Sequence, residues 1–215
     1  MEPIKINFKD CDREYLDDTF ALTQVRNHQV LTDWIEQSKP YTIDEFENRL
    51  LQRLQDKFIY RGDNWNEREL IEYFVAPIFA LIDFSNDEYS MFAEREIQAV
   101  IDNFKLVGAP DAIIAKGRRS PKIPYFCFHE YKKETENKGD PAGQCLAAML
   151  VAQMLNNNEK PIYGVVVKGE KWQFIILKDK EYAISVSLRA TDEELFEIVK
   201  ILKHLKNIIE EFVKS

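Results

Sequence analysis

Apolar side chains recur at helical spacing in the first third of the chain. An imperfect apolar stripe over residues 12–37 predicts one helix. Thr42 and Glu45 have the spacing of a capping box, which predicts a second helix running to about residue 58. A third apolar face over residues 65–82 predicts a helix that Pro77 kinks or shifts. The pattern therefore predicts a helical N-terminal extension over residues 1–62.

The middle and end of the chain change to the shorter period of β-strands. Asp140 as N-cap and Pro141 at the first helical position predict a strongly apolar helix to about residue 155. Thr191 with Glu194 predicts the start of a closing helix. Strands are predicted near residues 94–101, 111–115, 125–131, 161–168, 171–177 and 182–188. This order predicts an α/β fold with a mixed central sheet flanked by helices, in which residues 63–215 form one compact unit.

Bulk composition is that of an ordinary globular protein. Of the 215 residues, 45% are hydrophobic and 31% are charged. The chain has no apolar run of about eighteen residues and does not open with a basic region followed by an apolar one, so we expect neither secretion nor membrane insertion. None of the three cysteines lies in a Cys-x-x-Cys motif, which favours a reducing, cytoplasmic location.

The charge distribution bears on nucleic acid as a partner in two opposite ways. A net charge of −8 argues mildly against phosphate binding. From Lys105 to Lys138, however, eight basic residues against four acidic ones leave a net charge of +4. This basic segment includes Lys116, Arg118, Arg119 and Lys122. These four are candidates for holding a nucleic-acid backbone, and a solvated hairpin tip is the equally weighted alternative.

Two acidic residues and one lysine lie at the ends of neighbouring apolar strands in the predicted sheet. Asp111 starts one strand, and Glu130 and Lys132 end the next. Because side chains two apart on a strand leave the same face, Glu130 and Lys132 point the same way. Buried carboxylates need positive charge nearby, and oxygen ligands suit Mg²⁺ or Mn²⁺. The pattern indicates metal-assisted hydrolysis of a phosphodiester. His129 projects to the opposite face and is expected to pack rather than act as a base.

These residues resemble the motif of a known group of enzymes. Pro110-Asp111, then Glu130-Tyr131-Lys132, then a helix with Gln144 near its start, is similar to the PD-(D/E)XK nuclease superfamily. The subgroup it most resembles is the nuclease-like N-terminal domain of type I restriction subunits. Ala148 stands where one branch of the superfamily has a tyrosine, which argues against that branch. The resemblance implies a restriction-endonuclease-like fold over roughly residues 65–190.

The resemblance also implies roles for individual residues. Asp111 and Glu130 would bind Mg²⁺ or Mn²⁺, with the backbone carbonyl of Tyr131 as a further ligand. Glu67, which continues the apolar face of its helix, would bind the metal or a water on it. Lys132 would position the attacking water, and Gln144 would support the site. The expected partner is nucleic acid, with DNA favoured; a homodimer stays open, and a membrane is not expected.

Two alternatives come from other classes of protein. A nuclease-like fold without catalysis would serve as a module that binds nucleic acid or protein, as the acidic balance favours. A purely structural α/β protein would use the same charges as an ion pair. In that case Asp111 could be a turn residue after Pro110, and Glu67 a favourable acidic group in the first turn of a helix.

Overall fold

The computed structural model describes residues 2–133, 135, 139–157 and 160–214. Glu134, Glu136 and Lys138, which belong to the basic segment counted above, lie outside this part. The described α-helices are α1 (Arg13–Phe20), α2 (Gln29–Glu36), α3 (Glu45–Arg61), α4 (Glu67–Leu70), α5 (Ala76–Ile82), α6 (Pro141–Leu155) and α7 (Glu194–Lys214). The described strands are β1 (Ile4–Asn7), β2 (Thr23–Gln24), β3 (Tyr89–Ala93), β4 (Ile97–Ile101), β5 (Phe104–Gly108), β6 (Ala112–Lys116), β7 (Lys122–Lys132), β8 (Ile162–Lys168), β9 (Lys171–Lys178), β10 (Glu181–Ile184) and β11 (Leu188–Arg189).

A mixed sheet forms the centre of the fold. Its strand order is β2-β10-β9-β8-β7-β6-β3, and β11 also pairs with β9. β7 and β8 run parallel, as do β2 and β10, whereas β6 with β7 and β8 with β9 are antiparallel. Helix α6 makes the crossover between the parallel strands β7 and β8. The prediction of an α/β fold with a mixed sheet flanked by helices is confirmed.

Helices cover both faces of this sheet. One apolar cluster joins the sheet to α1 and α6, and another joins it to α2, α3, α5 and α7. A second, smaller sheet has the order β1-β5-β4, in which β1 and β5 are parallel. Residues 2–62 therefore supply strands to both sheets as well as helices to both faces. Among the described helices, none combines the length and apolarity needed to cross a bilayer.

The prediction of one continuous helix over residues 12–37 is wrong. Helix α1 stops at Ala21, whose φ of 53° is left-handed, and α2 begins only after His28. Between them, Thr23 and Val25 donate backbone hydrogen bonds to Lys180 and Tyr182 beside β10. Pairing with the sheet thus overrides an apolar stripe that was already imperfect.

Asp44, rather than Thr42, caps helix α3. The Asp44 carboxylate accepts from the Glu47 N–H at 2.9 Å, and the Glu47 carboxylate accepts from the Asp44 N–H at 2.8 Å. The prediction of a capping box at Thr42 and Glu45 is therefore displaced by two residues. The displaced box has the same chemistry, since Asp is at least as good an N-cap as Thr.

Two other predicted caps are used elsewhere. Asp140 occupies the N-cap position of α6, but its carboxylate accepts hydrogen bonds from Arg13 instead of capping. The Thr191 hydroxyl donates to Glu170, and the N–H of Glu194 donates to Asp192. The predicted positions of Asp140 as N-cap and Pro141 at the first helical position are confirmed. The side-chain caps are not formed, because in both cases a distant partner takes the side chain that local spacing would assign to the helix.

The strand predicted at residues 94–101 is confirmed as β4, which begins three residues later, whereas β3 before it and β5 after it were not predicted. Glu94 and Asp102 turn the chain between them, with left-handed φ angles of 48° and 52°. Such angles are uncommon outside glycine, so local spacing gave no sign of these turns. The strand predicted at residues 182–188 likewise divides into β10 and β11, which both pair with β9.

A widened turn interrupts the helix between α4 and α5. Residues Ile71–Val75 form one π-helical stretch, in which the N–H of Ala76 donates to the carbonyl of Ile71. Pro77 lies two residues after this stretch, and a proline ring clashes with the carbonyl four residues earlier. The predicted shift in the hydrogen-bond ladder near Pro77 is confirmed.

Candidate active site

A cleft of about 390 Å³ opens where β7 ends and β6 begins. Asp111, Glu130, Lys132 and Gln144 line one part of it, together with Pro110. Asn7, Phe8, Lys9, Gly108 and Ala109 line the remainder. The cleft lies at the carboxyl end of β7, which runs parallel to β8. Ligands of α/β sheets usually bind at the carboxyl ends of parallel strands.

Hydrogen bonds with the backbone hold Asp111 just before the start of β6. Its carboxylate Oδ2 accepts a 2.6 Å hydrogen bond from the N–H of Tyr131 on β7. Its carbonyl accepts from the N–H of Glu94 at 3.1 Å. Ala112 pairs with His129 in the next register position, so Asp111 lies beside the Glu130–Tyr131 peptide. The carboxylate is thus fixed against the strand that carries Glu130.

Glu130 and Lys132 leave β7 on the same face and contact each other. Lys132 Nζ lies 3.0 Å from Glu130 Oε1. Glu130 is only 6% exposed, and the Lys132 side chain is 17% exposed. The two-residue spacing on a strand, together with burial by α6, accounts for this contact.

Both carboxyl groups of the cleft have raised pKa values. Burial raises the pKa of Asp111, while the Tyr131 N–H and the Lys132 ammonium oppose that rise. Burial and the nearby Asp111 carboxylate raise the pKa of Glu130 to about 7, against the lowering effect of Lys132. Burial alone would lower the pKa of Lys132, but Glu130, Asp111 and Glu67 outweigh it and leave the pKa raised. Lys132 therefore stays protonated at neutral pH.

Glu130 is expected to make the folded protein less stable as pH rises. The pKa of its carboxyl group is ordinarily 4.5 and is about 7 in the folded chain. Between these values the folded state keeps a proton that the unfolded state has released. The free energy of unfolding should therefore fall across this window, by up to about 3 kcal/mol. Urea unfolding at a series of pH values should show a clearly smaller fall in Glu130→Gln than in the wild type, in which the raised pKa of Asp111 also contributes. Equal profiles for the two proteins would contradict it.

Two helices add to the site: Glu67 contacts Lys132 from α4, and Gln144 lines the cleft from α6. Glu67 is the first residue of α4, and its Oε2 lies 3.4 Å from Lys132 Nζ. Its side chain is 38% exposed, so it lies at the rim. Gln144 lies in the first turn of α6, and a Cβ on Gly139 would come within 2.8 Å of its Nε2. Gly139 has a φ of 80°, and its missing side chain leaves room for the amide.

The basic loop lies at the other end of the sheet. A separate groove of about 820 Å³ is lined by Lys116, Arg118, Arg119 and Lys122, with the acidic Asp87 and Glu88. Arg118 lies 3.5 Å from Asp87, and both side chains are exposed. Lys116 is five residues along β6 from Asp111, a separation of about 17 Å. The structure therefore does not bring the four predicted nucleic-acid-binding residues to the cleft.

Local sequence reasoning missed the N-terminal part of the cleft and one acidic neighbour. Asn7, Phe8 and Lys9 reach the cleft because β1 pairs with β5, one hundred residues away. Glu94 adds negative charge near Asp111 and contributes to its raised pKa. Neither feature has a signal in the local pattern, since both depend on long-range strand pairing or a left-handed turn.

The oxygen ligands at the cleft fit a hard divalent cation with a small protein ligand set. Among the described residues, no group of three or more His, Cys, Asp or Glu side chains lies close enough to form a metal cage. Mg²⁺ is ordinarily bound through one or two carboxylates, with waters and substrate phosphates completing its shell. Asp111 and Glu130 supply two carboxylates that burial makes costly to ionise, and the Asp111 charge adds to that cost at Glu130. A cation would relieve that cost.

His129 is placed as expected of a packing residue. Its ring stacks on Phe79 with centroids 4.5 Å apart, and its Nδ1 lies 2.7 Å from the Tyr131 hydroxyl. It is fully buried, and this burial lowers its pKa to about 3. His129 is therefore neutral at physiological pH and faces away from Glu130.

Comparison with known proteins leaves the site to be interpreted from its geometry. No protein-family model matches the chain, and a search of curated proteins finds no match.

Proposed function

We propose that this chain is a metal-dependent nuclease that hydrolyses DNA phosphodiester bonds. The observation that carries the proposal is the meeting of Asp111, Glu130 and Lys132 in one cleft at the carboxyl end of β7. Glu67 contacts the same ammonium from α4, and Gln144 lines the cleft from α6. The order of elements around the cleft supports a restriction-endonuclease-like fold and membership of the PD-(D/E)XK superfamily.

Each residue of the cleft would have a distinct part in this chemistry. Asp111 and Glu130 would hold the metal, and the Tyr131 carbonyl would be a third ligand. When bound, Mg²⁺ polarises the phosphoryl group and makes a water molecule more acidic. Lys132 keeps its proton, so it donates hydrogen bonds to the attacking water and to the phosphate and does not act as a base.

Glu67 and Gln144 position the groups that touch the substrate. The Glu67 carboxylate on α4 and the Glu130 carboxylate on β7 both lie within ion-pair distance of the Lys132 ammonium and hold it in place. The Gln144 amide has donors that can face a phosphate oxygen across the cleft. This division of roles keeps the charged nitrogen aimed into the cleft while the two metal ligands stay on the strands.

A nuclease-like module without catalysis is the second candidate. Two observations favour it: the chain carries a net charge of −8, and its basic loop lies away from the cleft. In this case the four loop cations would bind a nucleic acid or an acidic protein surface, and the cleft would be inert. A purely structural role for the charges is the third reading, and the two site variants described in the Discussion test it.

Metal dependence separates the first two candidates. We expect Mn²⁺ to bind in calorimetry at submillimolar concentration, and Mg²⁺ or Mn²⁺ to support cleavage of plasmid or oligonucleotide DNA. Chelation with EDTA should abolish the cleavage, because the carboxylates alone cannot activate water. Absence of measurable Mn²⁺ binding at near-millimolar concentration would support the module and overturn the nuclease. Replacing DNA by RNA of the same sequence tests the choice of nucleic acid.

A further inference from the structure

The N-terminal segment Asn7–Phe8–Lys9 forms one wall of the cleft. Strand β1 pairs in parallel with β5, in a register that sets Asn7 beside Val107. Directly after β1 the chain makes one 3₁₀ turn, Phe8–Asp10, and the Phe8 ring lies against Gly108 at the end of β5. All three residues of the segment line the cleft with Asp111 and Glu130. The segment is therefore part of the site itself.

Three contacts fix this wall in place. The Phe8 ring packs on Gly108 so closely that a Cβ there would lie 2.5 Å from a ring carbon. Just beyond the wall, the Arg13 guanidinium lies 2.7 Å from the Asp140 carboxylate at the start of α6. Gly143 on α6 approaches the backbone of Asp12 so that a Cβ would lie 2.7 Å from the Asp12 Cα. The wall is thus tied to both β5 and α6.

Lys9 gives this wall a cation. Its side chain is exposed, and in the described part of the chain no ion pair joins it to an acidic group. Lys132, the other cation lining the cleft, is engaged by Glu130 and Glu67. The cleft therefore presents two ammonium groups, one held beside the carboxylates and one available at the entrance.

We propose that Lys9 binds the phosphate next to the one being cleaved, and that the cleft takes a single strand of nucleic acid. This inference rests on the proposed nuclease function. A cleft of about 390 Å³ is in the size class of small-ligand sites. Tight binding of a duplex commonly uses about six to ten phosphate contacts. Two cations at the cleft suit two consecutive phosphates of one strand.

Acidic groups around the entrance also disfavour a duplex. Glu67, Glu94 and Asp10 lie on or next to the segments that border the cleft. A double helix carries a second row of phosphates, which would face these carboxylates at the rim. A single strand can pass Lys9 and turn away from the acids, so the charge pattern admits one backbone more easily than two.

Fluorescence anisotropy with short labelled oligothymidine and its duplex tests the inference. The binding measurements contain EDTA in place of Mg²⁺, so that hydrolysis does not consume the probe and both Lys9 and Lys132 are kept. Lys9→Ala should weaken single-strand binding about fivefold. It should also reduce the salt slope of the binding constant by about 0.7, the release expected for one phosphate contact on a single strand. Lys9→Arg should restore both values.

Lys5→Ala is the matched control. Lys5 is an exposed lysine of β1, four residues before Lys9, and does not line the cleft, so its loss removes the same charge without changing binding. Equal affinity and equal slope for Lys9→Ala and Lys5→Ala would overturn the role of Lys9. Tighter binding of the duplex than of the single strand would overturn the choice of substrate.

Cleavage of DNA by the wild-type chain in Mg²⁺ shows whether this inference or the proposed function has failed. If DNA is cleaved in Mg²⁺ while Lys9→Ala binds normally, the nuclease stands and the role of Lys9 falls. If Lys9→Ala weakens binding while no metal supports cleavage, the strand-binding cleft stands and catalysis falls.

Discussion

Lys132→Ala should lower DNA cleavage in Mg²⁺ by about 100- to 1000-fold, the usual loss when one donor that stabilises transition-state charge is removed. Lys132 lies 3.0 Å from Glu130 and 3.4 Å from Glu67 with its ammonium in the cleft. An alanine leaves neither a donor for the attacking water nor a charge for the phosphate. Single-turnover cleavage of a labelled oligonucleotide measures the loss.

Lys133→Ala is the matched control for this variant. Lys133 follows Lys132 directly, just past the end of β7, and does not line the cleft. Its replacement should leave the cleavage rate within about twofold of the wild type. Because Lys132→Ala also leaves the buried Glu130 without its partner, circular dichroism must show that the variant is folded at the assay temperature. Wild-type cleavage by folded Lys132→Ala would remove the proposed mechanism.

Asp111→Asn should weaken Mn²⁺ binding by more than about 100-fold, beyond the 10- to 100-fold cost of losing an outer partner of a ligand. It should nevertheless leave the protein at least as stable as the wild type at pH 8 without metal. The asparagine oxygen can still accept the Tyr131 N–H, which lies 2.6 Å from Asp111 Oδ2. The substitution removes a carboxylate whose own pKa is raised by burial and whose charge raises the pKa of Glu130.

Calorimetry and thermal unfolding with EDTA measure these two effects, and Asp87→Asn serves as the control. Asp87 is exposed and lies by the basic groove, so its replacement should change neither metal binding nor Tm. The purely structural reading makes the opposite forecast for Asp111. If its carboxylate served mainly as a buried ion-pair partner, Asp111→Asn would cost about 3–5 kcal/mol of stability.

The parts of the fold that local periodicity could predict are those buried on both sides. Strand β7 and helix α6 are apolar over long stretches, so both were predicted close to their observed bounds. The breaks at Ala21, Glu94 and Asp102 could not be predicted, because each is a non-glycine residue with a left-handed φ. Such turns are imposed by strand pairing and leave little trace in composition.

The candidate site divides in the same way. Glu130 and Lys132 could be predicted to share a face, because strand geometry alone requires it. The approach of Asp111 followed from placing its strand next to β7. Lys9 could not be found, since it depends on the pairing of β1 with a strand one hundred residues later. The basic loop shows the opposite error. Its residues lie close to Asp111 and Glu130 in the sequence, which suggested that they also lie close in space, but the length of β6 separates the loop from the cleft.

The π-helical turn at Ile71–Val75 determines in which direction around the helix axis the side chains before it point. One additional residue in a helix advances the direction of side chains by about 100°. Glu67 lies one turn before this stretch, while α5 after it is anchored by its own buried side chains. If the helix were regular throughout and α5 kept its position, the Glu67 side chain would point in a different direction, away from Lys132. Pro77, in the middle of the helix, thereby helps to aim a carboxylate ten residues earlier.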